Sequence, residues 1–268
     1  MNLNKENLVS VILPIYKDDG FFDEALNSIL VQTHKNIEVL VIANNSDDSL
    51  WEKIVEYAQQ DLRIKPFRLE LGGLANALNY GIERSRGEYI ARMDADDICV
   101  KDRIEKQLEF MLKNIDIDIL GTQIQYIDMN SNFTEKGRTL VPENHEKIVQ
   151  FLKKRCPFWH PTVMFKRKSI IKIGGYKYGF YGEDYELWIR AYLAGLKFHN
   201  LPEVLLNYRT HLNQMSSAKA KDSIYMILKY YFKQTGDMGF LLGSFVYTKS
   251  MQFFIVKTTK LRKLIKGS

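Results

Sequence analysis

Cysteine is scarce in this chain: Cys99 and Cys156 are the only two in 268 residues, and they form no CxxC pair. That excludes a disulfide-stapled secreted domain and argues against a structural zinc site, and it suits a reducing compartment. Each thiol reads as a small buried side chain rather than a nucleophile. No secretory leader is expected either, because Met1–Ser10 is polar and has no apolar run. No unbroken stretch of about 20 apolar residues occurs. The best window, Met238–Val256, is interrupted by Thr248, Lys249 and Gln252, so a spanning helix is not expected. Basic excess is absent from most of the chain. Ten Lys/Arg face two Asp over residues 219–268, while the 218 residues before them hold 28 basic and 30 acidic side chains. The net charge of +6 is therefore a property of the tail, and no nucleic-acid partner is expected.

What is present looks like a globular α/β protein. Val9–Ile15 is a β-branched run around Pro14, and Phe22–Val31 carries apolar residues at helical spacing. Ile37–Ala43 reads as a second strand, ending in the polar turn Asn44–Asp48 before a helix over about 50–60. A weaker strand over Ile64–Arg68 precedes Gly72-Gly73 and a helix through Asn76 and Ile82. Glu88–Met93 forms a fourth strand and Lys101–Asn114 an amphipathic helix. Repeated strand–helix units with short polar junctions predict a mostly parallel, Rossmann-like sheet flanked by helices. Ligands of such sheets lie beyond the carboxyl ends of the strands. Tyr16–Gly20, Asn44–Asp48, Gly72-Gly73 and Asp94–Asp97 would then share one rim.

The apolar run Tyr89–Met93 ends in Asp94, Asp96 and Asp97, three carboxylates within four residues. On an extended chain Asp94 and Asp96 point the same way. Carboxylates that close resist joint ionisation unless a cation sits between them, and Mg²⁺ or Mn²⁺ favours such oxygen ligands. The competing reading is that these acids cap the helix beginning near Lys101. Further on, 174–182 is rich in glycine and tyrosine, a sugar-stacking lid or a plain surface loop. It delivers Glu183-Asp184 to the start of a helix, where two acids also complement the helix dipole.

Taken in order, Val9–Tyr16, Ile37–Asp48, Leu71–Ile82, Gly87–Asp97, Gly182–Trp188 and Tyr208–His211 closely resemble a family 2 glycosyltransferase of the GT-A fold. Among these, the chain is similar to bacterial enzymes that build O-antigen, capsule or exopolysaccharide. The resemblance covers roughly residues 8–215. It implies a metal-dependent, inverting transfer of a hexose or N-acetylhexosamine from a nucleotide-diphosphate sugar, with UDP as the expected nucleotide. It also implies a lipid-linked acceptor, an undecaprenyl-diphosphate saccharide. Asp94 and Asp96 match the DxD motif, with Mn²⁺ or Mg²⁺ expected on them and His211 approaching the metal. Pro14, Tyr16, Asn44, Gly73, Asn76, Asp94 and Ala95 are the implied donor-nucleotide residues. Asp184 matches the general base, with Glu183 orienting it or holding the acceptor. Trp159, His160, Tyr181 and Glu183 are the implied acceptor residues. Where relatives commonly read Asp-Asp-Gly-Ser, this chain reads Ala43-Asn44-Asn45-Ser46. The Asn44 amide oxygen would thus receive the base imide N–H without charge assistance.

The implied organisation is a catalytic domain over 1–215, with a nucleotide-sugar half (8–100) and an acceptor half (101–215). A basic, aromatic tail follows over 216–268. Basic amphipathic helices lying on an anionic membrane surface fit that tail, which would put the enzyme peripherally on the cytoplasmic face of the bacterial inner membrane. A helical pair packed on the catalytic domain is the alternative. Two other functions compete: a sugar nucleotidyltransferase, and a non-catalytic membrane-binding module. The first expects a glycine- and arginine-rich phosphate loop after the first strand, and Pro14–Asp19 is not one.

Overall fold

The computed structural model of the chain describes residues 7–177, 182–211 and 218–247, leaving aside the side chains of 218–221. Strand β1 (Val9–Ile15) is buried along its whole length, as is β2 (Ile37–Asn44). Both run beside parallel neighbours, β3 (Ile64–Leu69) and β4 (Tyr89–Arg92), in the order β3-β2-β1-β4. Continuous apolar runs belong in such strands because helices cover both faces. Pro66, which has no N–H to give, sits on the edge strand β3. The parallel expectation holds for this half.

Beyond β4 the sheet is mixed. The short β5 (Ile98–Cys99) follows the acidic stretch, then β6 (Ile119–Ile127), β7 (Phe133–Thr139), β8 (Met164–Lys166) and β9 (Phe198–Arg209). β8 enters antiparallel between β4 and β6, whereas β6 and β9 pair in parallel. The carboxyl ends of β1, β2, β4, β6 and β9 therefore share one rim.

Helices α1 (Phe22–Leu30), α2 (Asp48–Gln60) and α4 (Arg103–Lys113) cover one face, packing Leu26, Ile54 and Leu108 against Val9, Val11 and Leu13. Helix α3 (Leu74–Arg84) covers the other, with Ala77 and Ile82 on Ile12 and Leu40. The alternation of β1 side chains assigns these two sets. A Cβ at Gly81 would stand 2.7 Å from Ile12 Cγ2, so glycine sets how closely α3 approaches the sheet. The second core continues under α5 (His145–Leu152), α6 (Arg167–Lys172) and α7 (Glu183–Leu193), around the fully buried Trp188.

The described part of the tail forms α8 (Ala218–Thr235) and α9 (Met238–Phe245). Both pack on the catalytic body. Ile227, Leu228, Tyr231 and Phe240 are buried in the second core, and each contributes about 1.5–3 kcal/mol by leaving water. Tyr231 donates to Glu186 at 2.7 Å, and Lys153 pairs with Asp237 at 2.6 Å. These helices thus put their inner faces on the protein, as the packed-pair alternative has it. Residues 248–268, with six of the ten tail cations, lie outside the described residues. Among the described residues no helix is long and apolar enough to cross a membrane.

Candidate active site

Strand β4 ends at Arg92, and residues 95–97 form a turn rather than an extended continuation. The expectation that alternation alone aligns Asp94 with Asp96 is therefore corrected. The turn closes all three acids together: one carboxylate oxygen each of Asp94, Asp96 and Asp97 lies within 4.8 Å of the others. The capping reading fails as well. Asp102, not Asp97, precedes α4, and its side chain makes no capping bond. Asp97 instead accepts the Arg209 backbone N–H at 2.9 Å through Oδ1.

Asp97 is buried, and its second oxygen, Oδ2, has no partner. Burial first, and the charges of Asp94 and Asp96 next, push this carboxyl well above the usual carboxylate range. A buried carboxylate with an open lone pair among two others fits a divalent cation. Ligands on opposite sides of an ion bound at about 2.1 Å stand about 4.2 Å apart, close to the observed spread. Asp94 is also raised by burial, against the attraction of Arg92. His211 reaches the cluster through Asp96 alone, Nε2 to Oδ2 at 2.9 Å, with its ring 5.2 Å from that of Phe21.

The expected base stands at the start of α7. Gly182, at φ +97°, turns the chain into the helix, and Glu183 and Asp184 occupy its first turn. Burial raises Asp184, opposed by the helix N–H groups and by the Cys156 thiol, which donates to Oδ2 at 3.5 Å. Burial and then the Asp184 charge push Glu183 up to about 7. The Asp184 charge is felt at Asp94, and that of Arg92 at Asp94, Asp97, Glu183 and Asp184. One buried arginine thus serves both groups of acids.

Among the expected donor residues, Asn44 closes β2 with its amide oxygen buried and without a partner. Pro14 lies buried within β1, one residue short of its end, and Tyr16 stands exposed just beyond. Gly73, at φ +118° with open space around its missing Cβ, opens α3. Asn76 spends its amide N–H on the Leu71 carbonyl at 2.8 Å. Ala95 packs against the first core.

Among the expected acceptor residues, Trp159 packs with Tyr126 and Tyr208 at ring-centre distances of 6.0 and 5.7 Å, and its indole N–H is buried without a partner. The charges of Asp97, Asp94 and Asp96 all reach the Tyr208 phenol, which places this aromatic group beside the acidic turn. His160 bonds Tyr176 Oη at 2.8 Å, and burial followed by the Arg92 charge holds it well below the usual histidine range, hence neutral. Tyr181 lies outside the described residues. Sequence reasoning had no role for Arg92, Tyr126, Cys156, Tyr176 or the side chain of Arg209. Arginine within a strand otherwise apolar was the one local signal; the others join the site only through long-range packing.

The family model for Glycosyl transferase family 2 matches residues 10–174. The O-antigen biosynthesis glycosyltransferase WbnJ of Escherichia coli is 39% identical over 214 residues, 79% of this chain and 83% of that protein. An E. coli UDP-Gal:alpha-D-GlcNAc-diphosphoundecaprenol beta-1,3-galactosyltransferase is 34% identical over 203 residues, 75% of this chain and 73% of that one. The amylovoran biosynthesis glycosyltransferase AmsE of Erwinia amylovora is 30% identical over 270 residues, 94% of this chain and all of that protein. In fold, the chain is similar to S. aureus TarS 1–349 in complex with UDP-GlcNAc (TM-score 0.65, 21% identity, 84% of this chain, 66% of that one). A Pyrobaculum calidifontis mannosyltransferase in complex with GDP-Man and Mn²⁺ gives TM-score 0.63 at 15% identity, over 84% of this chain and 64% of that one. The chain belongs to glycosyl transferase family 2 and has the GT-A fold.

Proposed function

We propose that the enzyme moves one hexose or N-acetylhexosamine from a UDP-sugar to a saccharide carried on a lipid diphosphate, in assembly of a bacterial surface polysaccharide. One observation carries this reading: a three-carboxylate turn with an open buried oxygen lies within electrostatic reach of a second acid pair opening a helix. The names of the E. coli and Erwinia relatives support the pathway and the acceptor class, and the UDP-GlcNAc complex of TarS supports the nucleotide.

In this reading residues 8–100 hold the donor, 101–215 the acceptor, and 216–268 associate with the membrane. Asn44 accepts the imide N–H of the base, Tyr16 offers a ring face, and the bare start of α3 at Gly73 admits the diphosphate, with Pro14, Asn76 and Ala95 lining the same side. Asp94, Asp96 and Asp97 hold a Mn²⁺ or Mg²⁺ ion, with His211 beside them. The chemistry such an ion supplies is neutralisation of the charge that grows on the diphosphate leaving group.

Asp184 takes the proton from the acceptor hydroxyl as that oxygen attacks the anomeric carbon. A carboxylate raised by burial is a stronger base than one in water, and the thiol of Cys156 together with the first N–H groups of α7 fixes its orientation. Glu183, its carboxyl pushed up to about 7 by burial and the Asp184 charge, donates a hydrogen bond to the acceptor in its protonated form. A single displacement needs no enzymic nucleophile and inverts the anomeric centre. Trp159, with Tyr126 and Tyr208, stacks on the acceptor sugar. His160, bonded to Tyr176, and Tyr181 are assigned to the acceptor as well.

The enzyme works on the cytoplasmic face of the inner membrane. Met238, Leu242 and Phe245 are exposed at helical spacing along α9, just ahead of the lysine-rich segment. Each cation near an anionic leaflet adds about 1 kcal/mol.

The test is nucleotide release from a panel of UDP-, GDP- and dTDP-sugars, with and without Mn²⁺, using a synthetic saccharide–diphosphate–lipid acceptor. Release from one UDP-sugar that needs both metal and acceptor supports the reading. Metal-independent release, or none from any donor, contradicts it.

A further inference from the structure

Arg209, the last residue of β9, has no exposed surface and is tied to three separate parts of the chain. Its backbone N–H goes to Asp97 Oδ1 at 2.9 Å, and its Nε to the Asp96 carbonyl at 2.7 Å. One terminal nitrogen, Nη1, binds the 128–131 turn through the Asp128 carbonyl at 3.0 Å and Ser131 Oγ at 3.1 Å. The other, Nη2, meets Glu24 Oε2 at 2.5 Å, from α1 and 185 positions away. Phe21 lies under the guanidinium, its ring centre 4.5 Å away. The two oxygens of Glu24 also accept from Ser131 Oγ, at 2.9 and 2.8 Å, so Glu24 closes the bracket from the solvent side.

This bracket holds the acidic turn by both its backbone and its Asp97 carboxyl. Fixing Oδ1 of Asp97 leaves Oδ2 to point elsewhere. A planar fork that makes several directed bonds cannot be replaced by an ammonium group, which binds as a point charge. Residues behind metal ligands set ligand orientation, and their loss typically costs about 10–100-fold in metal affinity.

We propose that Arg209 is the positioning residue of the acidic turn, setting its grip on a divalent cation, and that Glu24 tunes that grip from the surface of α1. The inference rests on the metal reading given above. Neither residue touches substrate; both act through Asp96 and Asp97.

The test titrates Mn²⁺ into the full chain at saturating UDP and follows free Mn²⁺ by electron paramagnetic resonance. Arg209→Lys weakens Mn²⁺ by about tenfold or more. Glu24→Ala, at a half-exposed site, weakens it in the same direction by a smaller factor. The double variant binds no worse than Arg209→Lys alone, since both residues act along one path. UDP affinity without metal stays at the wild-type value in Glu24→Ala. Wild-type affinity in both single variants overturns the inference while leaving the metal site standing. A wild-type enzyme that binds no Mn²⁺ overturns the metal reading and this inference with it. Should Arg209→Lys fail to fold, Glu24→Ala alone decides.

Discussion

Asp94 accepts hydrogen bonds from both terminal nitrogens of Arg92, two residues earlier in the chain. Arg92 is almost wholly buried, and its Nε has no partner. The pair therefore holds a charge that would otherwise be stranded beneath the acidic turn. Removing one partner of a buried ion pair costs about 3–5 kcal/mol. Because Asp94 keeps about a third of its surface, Arg92→Met should sit at the low end of that range. Denaturant unfolding checks the figure, and a loss below about 1 kcal/mol would mean that the pair is not structural.

Asp97→Asn separates the metal role from the fold. Asparagine can still accept the Arg209 N–H, but it brings no charge to the cluster. Mn²⁺ affinity should fall by about tenfold or more, the cost of losing one charged ligand contact. The raised Asp97 carboxyl makes a further statement about pH. Its stabilising contribution is fully present below the unfolded value of about 3.9, and it is lost as pH rises through the folded value. In metal-free protein Asp97→Asn should thus raise the melting temperature at pH 8 more than at pH 5. An equal shift at both pH values would remove the argument.

Cys156→Ala tests the orientation of the base. The thiol bond lowers Asp184, so its loss raises that carboxyl further, and the acid limb of the kcat profile moves to higher pH. A long thiol hydrogen bond of this kind is worth about 1 kcal/mol, so kcat near pH 7 should drop roughly fivefold. Cys156→Ser should recover most of it. An unmoved acid limb would show that the thiol merely fills space.

Asn44→Ala should raise the KM for the nucleotide-sugar by up to about tenfold with little change in kcat, because the lost bond is made equally in ground and transition states. Steady-state kinetics with the best donor measures both. An unchanged KM would take Asn44 out of the nucleotide site.

Gly243→Ala tests the docking of α9. A Cβ there would run into the Lys153 carbonyl oxygen. Overpacking of this kind typically costs about 1–3 kcal/mol. Thermal unfolding that matched the wild type would mean that α9 does not rest on α5.

How much of this could be read in the sequence follows from the range of the forces involved. The first four strands were legible because full burial writes an apolar run bounded by polar turns. The acids at 94–97 stood out because charge at the end of such a run is costly without a purpose, whereas those at 183–184 stood out only through the family resemblance. β5 and α6, of two and six residues, are too short to carry a period. The insertion of β8 beside β4 joins residues about 75 positions apart, and nothing local encodes it. The same holds for Glu24 with Arg209 and for Cys156 with Asp184. The turn at 95–97 escaped for another reason: strand alternation was extended to Asp96, four residues past the true end of β4. The tail shows the limit of composition. Its lysines mark a basic segment, but only packing shows that Ile227, Leu228, Tyr231 and Phe240 belong to the core around Trp188.

The central claim is that Asp184 removes the acceptor proton beside a separately held donor. Asp184→Asn measures it most directly, since it changes one atom and leaves the acidic turn intact. Calorimetry should give wild-type UDP–Mn²⁺ affinity, while transfer to the lipid-linked acceptor falls by about 10²–10⁴-fold, the usual range for a general base. Transfer within a few-fold of the wild type would contradict the claim.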